Sequence, residues 1–421
     1  MSNGLLFEIG DAIEAQGQST FSLSHYEYPV TMRSLAGKEL RVVFMRRYND
    51  FLTLRNMLSA KYWFCVVPPI PEKETAIDAV DKLKSAAVLM VRRGDEAAEQ
   101  KRKTEEFLQY RRELLRIFLQ KLCHHPLLCD DDLLKRFFVN DDEWERKAKE
   151  PIKMPPFLSV SILSSWKGMA KRSEGEPAGI TYTKAVARLE QAADRGAGDR
   201  GAPLLSLTEI EGIARHVNCL ATNFAALRAK TDALAHQHRE VADALQQFAT
   251  SFAAIVEDEE DAALKKAVNP VALHCGSMST LYEKQYRSEL KNVVFKLGYH
   301  SLSSLAVGET VERLYVAVQY IQQLSQTQSE LDKKISRATA PNKCMELRTQ
   351  RTQIGTQRLE VENELNAGME KFKVDFLCYH NFKQEDMLEF LEVFKRIQMK
   401  SAEQLKKEWD DVLSSTEELM E

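Results

Sequence analysis

Glycine and proline are scarce in this chain, 17 and 12 among 421 residues. The second half is rich in Ala, Leu, Glu, Lys, Arg and Gln, so long helices are expected there. No uninterrupted apolar run approaches the roughly 18 to 20 residues that a spanning helix needs, and the chain is not expected to cross a membrane. Net charge is small: 58 basic against 62 acidic side chains leave −4. Whole-chain electrostatics therefore select no partner, nucleic acid is not expected, and any basic surface must be local. The amino end, Met-Ser-Asn-Gly-Leu-Leu-Phe-Glu, has neither a basic n-region nor an apolar h-region, and Gly4 is not in the myristoylation position. Cys65, Cys123, Cys129, Cys219, Cys275, Cys344 and Cys378 are odd in number and without framework spacing, which fits a reducing cytosol. Walker, dinucleotide-glycine and Gly-x-Ser-x-Gly motifs are missing as well, so an enzyme is not expected, nor a cofactor or bound metal.

The most informative residues are Met45-Arg46-Arg47-Tyr48-Asn49-Asp50-Phe51, followed by Val66-Val67-Pro68-Pro69-Ile70-Pro71-Glu72-Lys73. An arginine pair beside a ring, then a proline-stiffened loop ending in lysine, offers a guanidinium fork for phosphate, a flat stacking face and a second cation. Around them, Leu5 to Ile9, His25 to Met32 and Glu39 to Met45 alternate as three strands of an antiparallel meander. Phe51, Leu54, Met57 and Leu58 then follow helical spacing. A long helix carries Phe107, Tyr110, Leu114, Leu115, Phe118, Leu119 and Leu122 until His125-Pro126 stops it, and a first α+β domain, meander packed on helices, closes near residue 140.

Residues 141–204 read as a linker. Within it, 155–172 form an amphipathic helix with Leu158, Ile162, Leu163, Trp166 and Met169 on one side and a basic polar face on the other. The Gly-rich remainder holds one weak helix near Lys184 to Arg195. From 205 to 421 the pattern is all-α. One helical run carries Ile210 to Ile255, a second extends from about Leu273 to Arg337 with irregularity expected at Gly298 and Gly308, and a third carries Leu365 to Trp409. Steps of three and four sustained this long imply an elongated three-helix coiled-coil bundle whose surplus apolar surface predicts a dimer.

Arg-Arg-Tyr-x-Asp-Phe, the Val-Pro-Pro-x-Pro-Glu-Lys loop and Arg-Arg-x-x-Leu-x-x-Phe-Leu before His-Pro resemble a phox-homology (PX) domain. The long helices, with Phe248-Ala249-Thr250-Ser251-Phe252 and Phe390 to Trp409, resemble the Bin-amphiphysin-Rvs (BAR) domain of sorting nexins, and the whole is similar to the Vps5-type, retromer-associated subgroup. The resemblance implies that Arg47 holds the 3-phosphate of phosphatidylinositol 3-phosphate. It implies further that Tyr48 lies under the inositol, Lys73 reaches the 1-phosphate, and Arg111 contacts the far side of the ring. Arg46, on the opposite strand face, is structural. Lys73 and Arg111 stand further apart than in simpler members, and the intervening Val88 to Val91 island either dips into lipid or packs on the domain's own helices.

Leu158, Ile162, Leu163, Trp166 and Met169 have two readings, a wedge between head groups or a stripe packed on the bundle; beside a lipid-binding domain the wedge is favoured. Lys333, Lys334, Arg337, Lys343, Arg348 and Arg351 surround Ala340-Pro341-Asn342 at a helix bend, a basic tip suited to anionic lipids at about 1 kcal/mol per charge. Cys123-His124-His125-Pro126 with Cys129 offers metal-ligand types, but a satisfied helix terminus is the better reading. The resulting expectation is a cytoplasmic protein, peripheral on endosomes, that binds phosphatidylinositol 3-phosphate and other anionic lipids. It would form a homodimer or a heterodimer with another BAR sorting nexin and shape tubules for endosome-to-Golgi retrieval. The alternatives are a phosphoinositide-targeted scaffold that leaves the membrane undeformed and a coiled-coil protein indifferent to lipid. The retromer trimer is a further implied partner, although the sequence given starts almost at the first domain, without the family's long amino-terminal extension.

Overall fold

Alternation of apolar side chains builds a sheet around its longest strand. In the computed structural model, which describes residues 5–15, 25–34, 42–71, 94–139, 142–152, 154–158, 178–194 and 205–417, that strand is β3 (His25–Ser34). It pairs antiparallel with β1 (Leu5–Ile9) and β2 (Ile13–Ala15), and also with β4 (Val42–Arg47). Ile9 faces Val30 and Ile13 faces Glu27, so the chain spends one more residue than its partner between them. That extra residue makes a bulge. Gly10 suits it, because a β-carbon there would come within 2.7 Å of Pro29 Cγ. The sequence predicts three strands; the additional one is the second half of an interrupted edge, only 3 residues long and too short to display a period.

Phe7, Ile9, Tyr28, Val30, Met32 and Phe44 form the buried face of the sheet. Three helices cover it: α1 (Tyr48–Lys61), α2 (Gly94–His124) and α3 (Asp132–Phe137). Phe51, Leu54 and Leu58 meet Leu115, Phe118, Leu119, Leu122, Leu134 and Phe137 in one core, where each fully buried large side chain contributes on the order of 1.5–3 kcal/mol. Asp131 caps α3 by accepting the Leu133 N–H at 2.7 Å. A short helix, α4 (Asp142–Ala148), sets Trp144 edge-on to Phe137 at 5.0 Å.

By compactness the chain divides into Met1–Ala221 with Leu302–His380, and Thr222–Ser301 with Asn381–Glu421. The first unit holds a second core beyond the sheet. Trp63, Phe157 and Leu158 join Tyr182, Ala185, Val186 and Leu189 of α5 (Ala178–Asp194). Against them pack Ile210, Ile213 and Val217 of α6 (Leu207–Asp258), Val307 and Val311 of α8 (Phe295–Arg337), and Phe372 and Phe376 of α9 (Pro341–Glu417). The stretch predicted as a linker with one weak helix thus contains a packed helix. Its small side chains carry little signal alone and gain their stability from neighbours. Ser206 and Glu209 open α6 with a capping box: Ser206 N–H donates to Glu209 Oε2 at 2.7 Å and Glu209 N–H donates to Ser206 Oγ at 3.3 Å.

In the second unit, α7 (Ala262–Glu289) begins eleven residues before the predicted Leu273, runs through Pro270 and starts on Asp261, which accepts the Ala263 N–H at 2.8 Å. The expected irregularity also moves. Gly298 and Gly308 lie in regular helix, and a π turn occupies Leu290–Val294. It follows Glu289, 1% exposed, whose carboxylate accepts from His238 Nδ1 at 2.8 Å, Gln285 Nε2 at 3.0 Å and Gln398 Nε2 at 2.6 Å. Helix α9, with 77 residues the longest described, contributes to both units, its residues up to His380 to the first and those from Asn381 to the second. No described helix is long and apolar enough to cross a membrane.

Candidate functional site

Strand alternation separates the two arginines of the opening motif. Arg46 points inward and is 5% exposed. Its guanidinium donates to Met45 O and Phe137 O at 2.8 Å and to Val139 O at 2.5 Å, and it lies 5.2 Å from the Phe137 ring centre. Those bonds tie β4 to the end of α3, a structural task. Arg47 points outward with its side chain 51% exposed and Nε 3.9 Å from Asp50 Oδ2, while its backbone N–H donates to the same carboxylate at 2.9 Å. Asp50 thus closes the first turn of α1 and leaves the Arg47 fork open to an anion.

Tyr48, next along the chain, is buried, and its hydroxyl donates to Pro71 O at 2.6 Å. Arg111 from α2 approaches the same ring, its guanidinium carbon 4.5 Å from the Tyr48 centroid and 4.2 Å from the Phe107 centroid. The sandwich leaves Arg111 only 5% exposed. Among the described residues its Nε and Nη2 have no acceptor. Each buried donor left unmet costs about 1–3 kcal/mol, a cost that an oxygen-rich ligand at this position would relieve. The structure brings Tyr48 and Arg111 together; Lys73 and the Val88 to Val91 island lie outside the described residues. Phe107 is the member that the sequence does not announce. It sits one helical turn before Arg111, but on an apolar stripe it reads as core.

The amphipathic segment needs a correction. Leu158, expected on the inserting face, is 2% exposed and packed beside Trp63 in a 3-10 turn, Pro156–Leu158. It is the end of a structural anchor, because Phe157 and Leu158 fill the second core. Ile162, Leu163, Trp166 and Met169 lie outside the described residues. At the bend between α8 and α9, Lys333, Lys334, Arg337, Lys343, Arg348 and Arg351 are all exposed, together with Met345. Arg351 is partly neutralised by Asp332, 2.9 Å from its Nε.

Metal-ligand types converge on a set that shares only His125 with the one the sequence offers. Cys65, His125 and Asp375 place ligand atoms within 4.8 Å of one another. The ring of His125 argues against a ligand set: Nδ1 accepts the N–H groups of Leu127 and Leu128 at 3.2 and 3.3 Å. The proton therefore sits on Nε2, 3.0 Å from Asp375 Oδ1 though off the line of a straight bond. Burial, reinforced by Asp375, pushes the Cys65 thiol well above its ordinary range, so it stays protonated.

Comparison with known proteins bears on the same region. The PX domain family matches residues 37–141. Sorting nexin-4 of Eremothecium gossypii is 26% identical over 178 residues, 39% of this chain and 38% of that protein. Vacuolar protein sorting-associated protein vps5 of Schizosaccharomyces pombe is 33% identical over 185 residues, 40% of this chain but 28% of that protein. The chain thus matches well under two thirds of the length of these relatives. Among solved structures, the cryo-EM structure of the SNX-BAR Mvp1 tetramer aligns over 97% of this chain and 99% of that one, with a TM-score of 0.55 and 15% identity, a likeness of fold.

Proposed function

We propose that the chain is a PX-BAR sorting nexin of the Vps5 type and that it binds phosphatidylinositol 3-phosphate on the cytosolic face of endosomes. Arg111 carries the reading: it is buried between two rings with donors unspent, beside Tyr48 and the open fork of Arg47. In this reading Arg47 takes the 3-phosphate, the Tyr48 ring underlies the inositol, Lys73 meets the 1-phosphate, and Arg111 donates to the ring oxygens.

The second unit supplies multiplicity. Leu227, Leu234, Val241, Phe248 and Ile255 recur every seventh residue of α6 and stay 38–56% exposed, the seam of a coiled-coil contact with a second BAR subunit, identical or related. Two pockets, two basic tips and the segments around Trp166 on one dimer raise apparent affinity by on the order of 10² to 10⁴ over a single contact. Such a dimer serves curvature-dependent tubule sorting and retrograde endosome-to-Golgi transport, with the retromer trimer as a candidate partner. Imaging tests the reading: Arg47→Gln should leave endosomes for the cytosol, and continued endosomal localisation would support the lipid-indifferent coiled coil. Burial of Leu158 shortens the insertable face and favours a second reading, a lipid-addressed scaffold. Liposomes separate the two, since binding without tubules supports the scaffold.

A further inference from the structure

The loop that carries the pocket's lysine is rooted on the long helices. Val67 and Ile70 sink into the sheet's core, but the polar groups of its root find partners elsewhere. Trp63 Nε1 donates to Glu364 Oε1 at 2.7 Å, and Val66 N–H donates to Asp375 Oδ2 at 2.9 Å. Thr310 Oγ1 donates to Cys65 O at 3.0 Å. Arg55, which donates to Pro68 O at 3.2 Å, is paired with Glu309 Oε2 at 2.6 Å. Phe64 lies against Gly368, where a β-carbon would come within 2.9 Å of its own. Glu309 and Thr310 belong to α8, and Glu364, Gly368 and Asp375 to α9.

This root is mechanically joined to the pocket. From Val66 the chain runs Val67-Pro68-Pro69-Ile70-Pro71, and three prolines hold φ near −65° over a span with few other freedoms. Pro71 O accepts the Tyr48 hydroxyl at 2.6 Å, and the other side of that ring's neighbourhood is Arg111. Three fixed φ angles over this span limit how much of a displacement of Cys65 or Val66 is absorbed before Pro71.

We propose that Asp375 and Thr310, on the long helices, are positioning residues for head-group binding: they hold the root of the 65–71 loop and so set Pro71 O and the Tyr48 ring. The proposal rests on the head-group reading of Arg47, Tyr48 and Arg111. Under it the PX pocket takes its shape partly from the BAR helices, and neither residue touches the lipid.

The test is a calorimetric titration of the full chain with soluble inositol 1,3-bisphosphate, which removes avidity from the measurement. Thr310→Val, Asp375→Ala and the double variant, which remove the donor to Cys65 O and the acceptor of the Val66 N–H, are compared with wild type, and Arg47→Gln reports on the site itself. Deuterium exchange at the Val66 amide reports on the root. The double variant should exchange faster at Val66 and bind about tenfold more weakly, with its dimer mass and helical unfolding transition unchanged. Faster exchange at Val66 with wild-type affinity would overturn the proposal, as would a defect seen only on vesicles. If the double variant does not fold, Thr310→Val alone decides by the same comparison. If wild type binds no better than Arg47→Gln, the head-group reading itself fails and takes this proposal with it.

Discussion

Arg46 and Arg111 are both buried arginines of one domain, and their surroundings give them opposite work. Arg46 gives its Nη1 and Nη2 donors to the carbonyls of Met45, Phe137 and Val139; Arg111, between Tyr48 and Phe107, has two donors that meet no acceptor among the described residues. Arg46→Met should therefore cost about 1–3 kcal/mol, since the buried Phe137 carbonyl loses its partner and two half-buried bonds go with it. Arg111→Met removes a buried charge that no described acidic residue pairs, at the loss of a cation–π contact, and chemical denaturation should place it within about 1 kcal/mol of wild type while head-group binding falls at least tenfold. Equal destabilisation by the two would contradict the assignment. Glu312 supplies a pH-dependent counterpart. Burial, helped by Glu309 and opposed by Arg313, pushes its carboxyl up to about 7. A raised folded value means that its contribution is fully present below the unfolded value near 4.5 and is lost as pH rises through about 7. Glu312→Gln should accordingly stabilise the protein by about 2–3 kcal/mol at pH 8 and by little at pH 5, measured by urea unfolding at both. An equal effect at the two values would reject a buried, neutral Glu312.

Elements were legible where one period ran long enough to outvote local noise. The strands around Tyr28 and Phe44, the stop at Pro126 and the three long helical runs emerge from side-chain spacing alone. Three features do not. Helix α5 is built largely from small residues whose burial against Phe372 and Phe376 depends on the fold. The start of α7 was hidden by Pro270, a residue that ordinarily ends helices. The π turn lies beside buried Glu289 and its partners His238, Gln285 and Gln398, which are remote from one another in sequence. At this scale the exposed seam of α6 makes a definite claim. Phe248→Glu places a charge at the most exposed position of that seam and should convert dimer to monomer by light scattering at micromolar concentration, with helix content retained. A persistent dimer would move the interface elsewhere.

For the whole chain, the sequence carried the type of each domain further than the details that join them. Arg47, Tyr48 and Arg111 were expected at the site because the resemblance to the PX domain places them there, and the structure brings Tyr48 and Arg111 together. Phe107 could not, since apolar residues on an apolar stripe look alike until a guanidinium is seen against one. Nor could Leu158 be told from Ile162: both fit an amphipathic face, and only packing shows that Leu158 belongs to the anchor. Weak, reversible pockets multiplied by dimerisation remain the central account, and it fails if the pocket is idle. Vesicle flotation across a phosphoinositide series addresses it most directly. Wild type should rise with vesicles carrying the 3-phosphate and Arg47→Gln should stay with the free protein; equal flotation of the two, or flotation that ignores the position of the phosphate, would contradict it.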